Sequence, residues 1–326
     1  MYSQLQHRVS QIQHQAYAPG TMRNLRSQWN SFHRFCQDFS LVPLPASPST
    51  ISSYAVFLTQ RPSSYQYILD HLNAVRLLHL SHGLSTDSFT CFEVSLTKRG
   101  LKRVLGTASR QEHPLTPAIL LDIYHVLDMN CPSHAMIWAL FLVVFFSFLR
   151  KSSLVSSTAS TFDCQRDLTR RDIKFTTSGC FLRIKWSKTR QHKEGIHIVP
   201  LPSIPHSPLC PVTAIHHYFS LVPASSDDPF FCFPTATSLT PVTASFFTTT
   251  LEKLLGKLGL APTNYSPHSF RRGGATFAFH AGAPEHLLQL HGDWRSDAYK
   301  QYLTLPLCAR SSVADIMAAD LFSHNC

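Results

Sequence analysis

The stretch IKWSKTRQHKEGIHIVPLP, from Ile184 to Pro202, reads as two strands around a turn. β-Branched and aromatic residues recur at strand-like spacing on both sides, and Gly195 in RQHKEG suits a backbone position of positive φ. The β texture begins upstream at DIKFTTSGCF, which starts at Asp172. Outward from this hairpin the chain turns helical. MIWALFLVVFFSFL, Met136 to Leu149, is apolar throughout, too short for a membrane span and suited to a buried helix. Ala118 to Leu127 reads as a helix before it, SPLCPVTAIHHYFSLV as one after the hairpin, and DDPFFCFP as a short strand or loop. Helices resume near Thr243 and run to the end. The expected class is mainly α with a small antiparallel β-sheet.

The first hundred residues have a different texture. Residues 1–20 are Gln-rich and end on Pro19-Gly20, which predicts a flexible N-terminus. From Thr21, Leu25, Trp29, Phe32, Cys36 and Phe39 recur at three- and four-residue spacing and paint one helical face. Ser49 is the expected N-cap of a second helix, with Ile51, Tyr54, Ala55 and Leu58 on its face. A third helix is expected from about Tyr65 to His79, stopped near Gly83, and a fourth around Phe92 to Val104. Lys98, Arg99, Lys102 and Arg103 lie near the end of this module and are candidates for contact with a polyanion. GTASRQEHPLTP, Gly106 to Pro117, reads as a linker. The expected division is a flexible segment 1–20, a helical module 21–105, a linker 106–117 and a second domain 118–326.

Composition narrows the class of function. The chain has 326 residues, 44% of them hydrophobic, enough for a sizeable core. Lys and Arg number 29 against 19 acidic residues, a net charge of +10, and a globular chain this basic suits a nucleic-acid partner. Nine cysteines with no C-x-x-C pair argue against a disulfide scaffold or a zinc ribbon and for reduced thiols in an intracellular protein. His286 and His291 have a ligand-like spacing, but no cysteine pair accompanies them, and no metal is assigned. The polar N-terminus has no apolar signal core, and no membrane is expected.

The residues that carry chemistry fall in order along the second domain. Arg150 ends the apolar helix in FFSFLRKSSLV, where a buried element meets a polar one. Lys188 lies just before the hairpin turn, where a flexible ammonium can reach out of the sheet. In SPHSFRRGGAT a helix starting near Pro267 puts His268 and Arg271 at i and i+3 on one face. An imidazole and a planar guanidinium there can both donate to one phosphate, and the helix N-terminus adds partial positive charge. LHGDWRSDAYKQYL then offers the Trp294 indole donor and two tyrosines, Tyr299 and Tyr302. Each of these residues alone has an ordinary structural explanation: a helix-capping ion pair, a solvated turn lysine, a core aromatic.

The ordered set Arg, Lys in a hairpin, His-x-x-Arg, Trp, Tyr resembles the tyrosine recombinase (phage integrase-type) family. SKTRQ and GDWRSDAYKQYL are similar to its eukaryotic mobile-element branch, the recombinases of Cryptons and DIRS-type retrotransposons. The resemblance spans nearly the whole chain. It implies a helical, SAM-like core-binding domain and an α+β catalytic domain that close around double-stranded DNA as a C-shaped clamp. It implies catalytic roles for Arg150, Lys188, His268, Arg271 and Trp294, with Tyr302 as the nucleophile by its distance from Gly292 and Tyr299 as the rival. Asp293 competes with Trp294 for one position. Counting forward from Arg271 selects the tryptophan and counting back from Tyr302 selects the aspartate. Trp294 is preferred because an indole donates to a phosphate oxygen and a carboxylate repels it. Arg190 and Arg272 are expected on the DNA backbone with the Lys98–Arg103 cluster. The implied reaction forms a 3′-phosphotyrosine and needs no cofactor or metal, since the intermediate keeps the bond energy. The family often has an acidic residue three positions after the first arginine. Here that position is Ser153, which leaves Arg150 without its usual support.

The tail carries Val313, Ile316, Met317 and Leu321 on one stripe, which by the resemblance packs on a neighbouring protomer in a tetramer; the alternative is that it folds back on its own domain. Nuclear localisation is an expectation from the resemblance. Two other functions use overlapping groups: a type IB topoisomerase that nicks and reseals, and a catalytically inactive, domesticated DNA-binding protein.

Overall fold

The computed structural model describes residues 1–107, 112–187, 195–235 and 238–303. The chain forms two compact units, Met1–Arg110 and Gln111–Cys326. Among the described residues no helix is long and apolar enough to cross a membrane.

The first unit is helical. α1 (Tyr2–His14) occupies the segment expected to be flexible, and its described side chains are exposed. α2 (Pro19–Asp38) starts two residues before the expected Thr21, because Pro19 is pre-organised for the first helical turn. α3 (Pro48–Phe57) is capped by Ser47 rather than Ser49: the Ser47 hydroxyl accepts from the Thr50 N–H, and Pro48 follows at the first helical position. α4 (Tyr65–Ser81) is capped by Ser64, and α5 is Phe92–Leu105. Their apolar faces meet in a core of Phe32, Phe35, Tyr54, Ile68, Leu72 and Val94. One polar chain runs through it, in which the buried Tyr54 hydroxyl donates to Ser31 Oγ at 3.1 Å and lies 2.8 Å from His71 Nδ1. Burial lowers the His71 pKa, with Asp70 opposing.

The second unit is built around α7 (Pro132–Ser147), which is buried on every side from Ala135 to Phe145, as its unbroken apolar run requires. α6 (Pro117–His125) precedes it. The hairpin region forms a three-stranded antiparallel sheet of β1 (Ile173–Phe175), β2 (Gly179–Ile184) and β3 (His197–Pro202) in that order. Cys180, Leu182 and Ile184 face the core, and Leu182 pairs with Val199. Gly195 has φ +92°, the left-handed conformation read from its place in the turn. α8 (Pro211–Leu221) packs on α7, and β4 (Cys232–Pro234) and β5 (Leu239–Pro241) form a two-stranded ribbon. α9 (Ala244–Lys257), α10 (Pro267–His280) and α11 (Glu285–His291) follow, and a 3₁₀ turn spans Asp297–Tyr302.

The two glycines of HSFRRGGAT serve packing within this unit. A Cβ at Gly273 would lie 1.8 Å from the Leu115 carbonyl oxygen, and one at Gly274 would lie 2.1 Å from that of Phe145. α10 therefore lies directly against the backbone of residues around 115 and of α7. The second half of the expected linker is thus bound to the second unit: the Leu115 N–H donates to Ser269 O at 3.0 Å and the His113 N–H to Asn264 O at 2.8 Å.

Candidate active site

α10 carries the centre of the site. Ser266 caps it, its hydroxyl accepting from the His268 N–H at 3.0 Å while the Ser269 hydroxyl accepts from the Ser266 N–H at 3.1 Å. The cap fixes the first turn, and with it the phase that turns Arg271 inward. Arg271 is 1% exposed and donates to two main-chain carbonyls, Phe148 O at 2.6 Å and Gly292 O at 2.9 Å. The Phe148 carbonyl belongs to a residue with φ 52°, where α7 ends in a left-handed turn before Arg150. The guanidinium is stacked 3.8 Å from the centre of the Trp294 ring and lies 5.6 Å from that of Tyr302. Burial and then the Arg150 charge work against the Arg271 charge, while Tyr302 and Asp293 favour it. A guanidinium stays cationic under such a load.

Arg150 is half-buried at the exit of α7. His268 is exposed at the start of α10, and its imidazole pKa is pushed below the ordinary value. Desolvation is the largest cause; Glu112 opposes it, and Arg271, Arg150 and Lys151 add to it. The folded chain therefore resists a proton that the unfolded chain accepts below the usual histidine range, and this group costs stability as pH falls. These interactions place His268 in one cluster with the cations Arg150 and Arg271.

Trp294 is buried, and its ring fills the space a side chain at Gly292 would need, 1.8 Å from the ideal Cβ. Arg271 Nε and Trp294 Nε1 are both buried without a hydrogen-bond partner among the described residues. Asp293, with φ 54°, accepts from Ser187 Oγ at 2.9 Å, just beyond the second strand of the hairpin. Of the two candidates for one position, Trp294 is stacked on the arginine and Asp293 is bonded to Ser187.

The tyrosines are also separated. The Tyr299 hydroxyl donates to Glu285 Oε2 at 2.7 Å, and its ring is 4% exposed in a small apolar cluster with Phe148, Leu288 and Trp294. Tyr302 is half-buried with its ring 5.6 Å from that of Trp294. The Thr276 hydroxyl donates to the Tyr302 carbonyl at 2.8 Å.

Two of the residues expected to contact DNA also donate within the chain. Arg272 donates to Gln301 O at 2.6 Å, and Lys98 donates to Phe89 O at 2.8 Å, whereas Arg99, Lys102 and Arg103 are exposed. Lys188, Arg190 and the tail residues Val313, Ile316, Met317 and Leu321 lie outside the described residues. Lys185, three residues before Lys188, is bound within the fold by the buried Asp172 at 2.7 Å and the Cys164 carbonyl at 2.8 Å. His291, the second of the two histidines with ligand-like spacing, donates to Phe146 O at 2.7 Å. Sequence reasoning missed Glu112, which accepts a hydrogen bond from Ser266 Oγ, and the carbonyls of Phe148 and Gly292. The S-x-x-S pattern around Pro267 is a legible capping signal; nothing in the sequence marks the two carbonyls.

No family model matches the chain. It is similar to an integrase/recombinase XerD homologue of Selenomonas ruminantium, 24% identical over 265 residues that span 80% of this chain and 74% of that protein. In structure it is similar to the Tn1549 transposon integrase solved in complex with circular intermediate DNA. That match has a TM-score of 0.60 at 16% identity and covers 94% of this chain and 97% of the other. It is also similar to a lambda integrase dimer bound to a COC′ core site, with a TM-score of 0.57 at 14% identity, covering 93% and 77%. The fold is that of the tyrosine recombinases.

Proposed function

We propose that the protein is a site-specific DNA recombinase that cleaves and rejoins strands through a 3′-phosphotyrosine on Tyr302, and that it comes from a mobile element of the Crypton/DIRS type. The observation that carries the reading is the buried, stacked Arg271 beside Tyr302, within one cluster with Arg150 and His268. On this fold such a cluster suits one phosphodiester.

In the proposed step the Tyr302 oxygen attacks phosphorus and the bond to the 5′-oxygen breaks. The phenol proton passes to His268, whose lowered pKa keeps it neutral and ready to accept. Lys188 gives a proton to the leaving 5′-oxygen. Arg150 and Arg271 balance the charge of the transition state, and Trp294 Nε1 and Arg271 Nε have hydrogen-bonding capacity to offer. Each preorganised donor is worth about 3 kcal/mol. Attack by the 5′-hydroxyl of a partner strand reverses the sequence and completes exchange.

The test is capture from a randomised library of nicked duplexes that trap the covalent intermediate. A protein–DNA adduct that survives denaturation, with a shared sequence among the captured strands, is the expected result. Binding with no adduct anywhere in the library would overturn catalysis and leave a DNA-binding protein. Relaxed circles without exchanged junctions would replace the recombinase by a nicking and resealing enzyme.

We further assign the tail beyond Leu303 to a neighbouring copy on DNA. An apolar groove of ≈ 540 Å³, lined by Phe146, Phe277, Ala281, Leu287 and Leu288, matches the stripe of Val313, Ile316, Met317 and Leu321. A chain ending at Leu303 is expected to load onto DNA as single copies in analytical ultracentrifugation. Tetramers that persist in that chain would sink the assignment.

A further inference from the structure

We propose that Glu112, in the segment leading into α6, is the carboxylate that positions His268 and takes the place of the acid absent at Ser153. The inference rests on the proposed recombinase reading for the meaning of that position. Its geometry is independent of it.

Glu112 accepts a hydrogen bond from Ser266 Oγ, and the same oxygen accepts from the His268 N–H at 3.0 Å. One hydroxyl therefore connects the carboxylate to the backbone of the histidine. The carboxylate is held in register by main-chain bonds just beyond it, His113 N–H to Asn264 O and Leu115 N–H to Ser269 O. The His113 ring also meets that of Tyr265 edge-on at 5.5 Å. Gly273 lets the two segments approach to contact. A negative charge at the first turn of α10 is favourable as well, since the free N–H groups there carry partial positive charge.

The chemical need is plain from what faces His268. Arg271 on its own helix, and Arg150 and Lys151 from the segment after α7, all disfavour a proton on the imidazole, and Glu112 is the group that favours one. A histidine that takes the phenol proton becomes a cation amid three cations. A carboxylate that favours the proton makes that cation tolerable among them. Ser153 is 8% exposed and brings no charge to this balance.

The test is the titration of His268 in the DNA-free protein by NMR, its signal assigned among 19 histidines by comparison with His268→Gln. Glu112→Gln keeps the size and hydrogen-bonding capacity but not the charge. It should lower the His268 midpoint by about 0.5–1 pH unit, and Glu112→Asp should recover part of the shift. A midpoint unchanged in Glu112→Gln, with the variant folded by circular dichroism, overturns the proposal. So does an equal shift in both variants, which would mark a packing effect. Because no DNA is present, a protein that never forms the covalent adduct would defeat the recombinase reading and leave this result standing.

Discussion

Tyr302→Phe is expected to abolish the covalent adduct, a loss on the order of 10⁴-fold or more, as for removal of a nucleophile elsewhere. Tyr299→Phe is expected to keep most of it. The contrast follows from what each hydroxyl does. That of Tyr299 is spent on Glu285, in a cluster that includes Trp294, so its loss removes one hydrogen bond and leaves the ring in place. The Tyr302 ring lies beside Arg271 and Trp294. Removing its oxygen leaves packing intact and takes away the attacking atom. The measurement is a denaturing gel on one captured duplex, with thermal melts to show that both variants fold. An adduct that survives in Tyr302→Phe and vanishes in Tyr299→Phe would reverse the assignment.

Arg271→Lys is expected to lose both rate and stability. A lysine has no planar fork and cannot reproduce two carbonyl bonds, the stack on Trp294 and a donor for phosphate. Transition-state stabilisation should fall by about 10²–10³-fold. The stability loss should be about 1–3 kcal/mol, since Phe148 O or Gly292 O is left buried without a donor. Arg150→Lys is the control: Arg150 is half-buried, and a comparable loss of rate should come there with little change in melting temperature. Full cleavage by a folded Arg271→Lys protein would remove Arg271 from the reaction.

Much of this arrangement was legible in residue order. The helical periodicity of residues 21–105, the apolar α7 and the strand texture around Gly195 each follow from local pattern, because burial imposes that pattern. The spacing of His268 and Arg271 puts them at i and i+3, and their place between Lys188 and Tyr302 is what singles them out. Other features depend on chain segments far apart in sequence. Glu112 looked like part of a polar linker, and only the docking of residues 112–115 on α10 brings it to Ser266. Glycines 273 and 274 pack against the protein's own backbone, at Leu115 and Phe145, partners that lie far from them in sequence. Arg272 and Lys98 read as contacts to DNA, and their main-chain acceptors, Gln301 O and Phe89 O, leave no trace in a sequence.

Arg271 is 1% exposed, and the 297–302 segment is tied to α10 through Thr276 and Arg272. An anion that reaches the guanidinium has to displace part of what covers it, so occupancy and opening are one equilibrium. The apparent affinity of the site is its intrinsic affinity multiplied by the fraction of molecules already open. Tightening the cover would act as a competitive inhibitor built into the chain, and loosening it would raise occupancy without adding a contact.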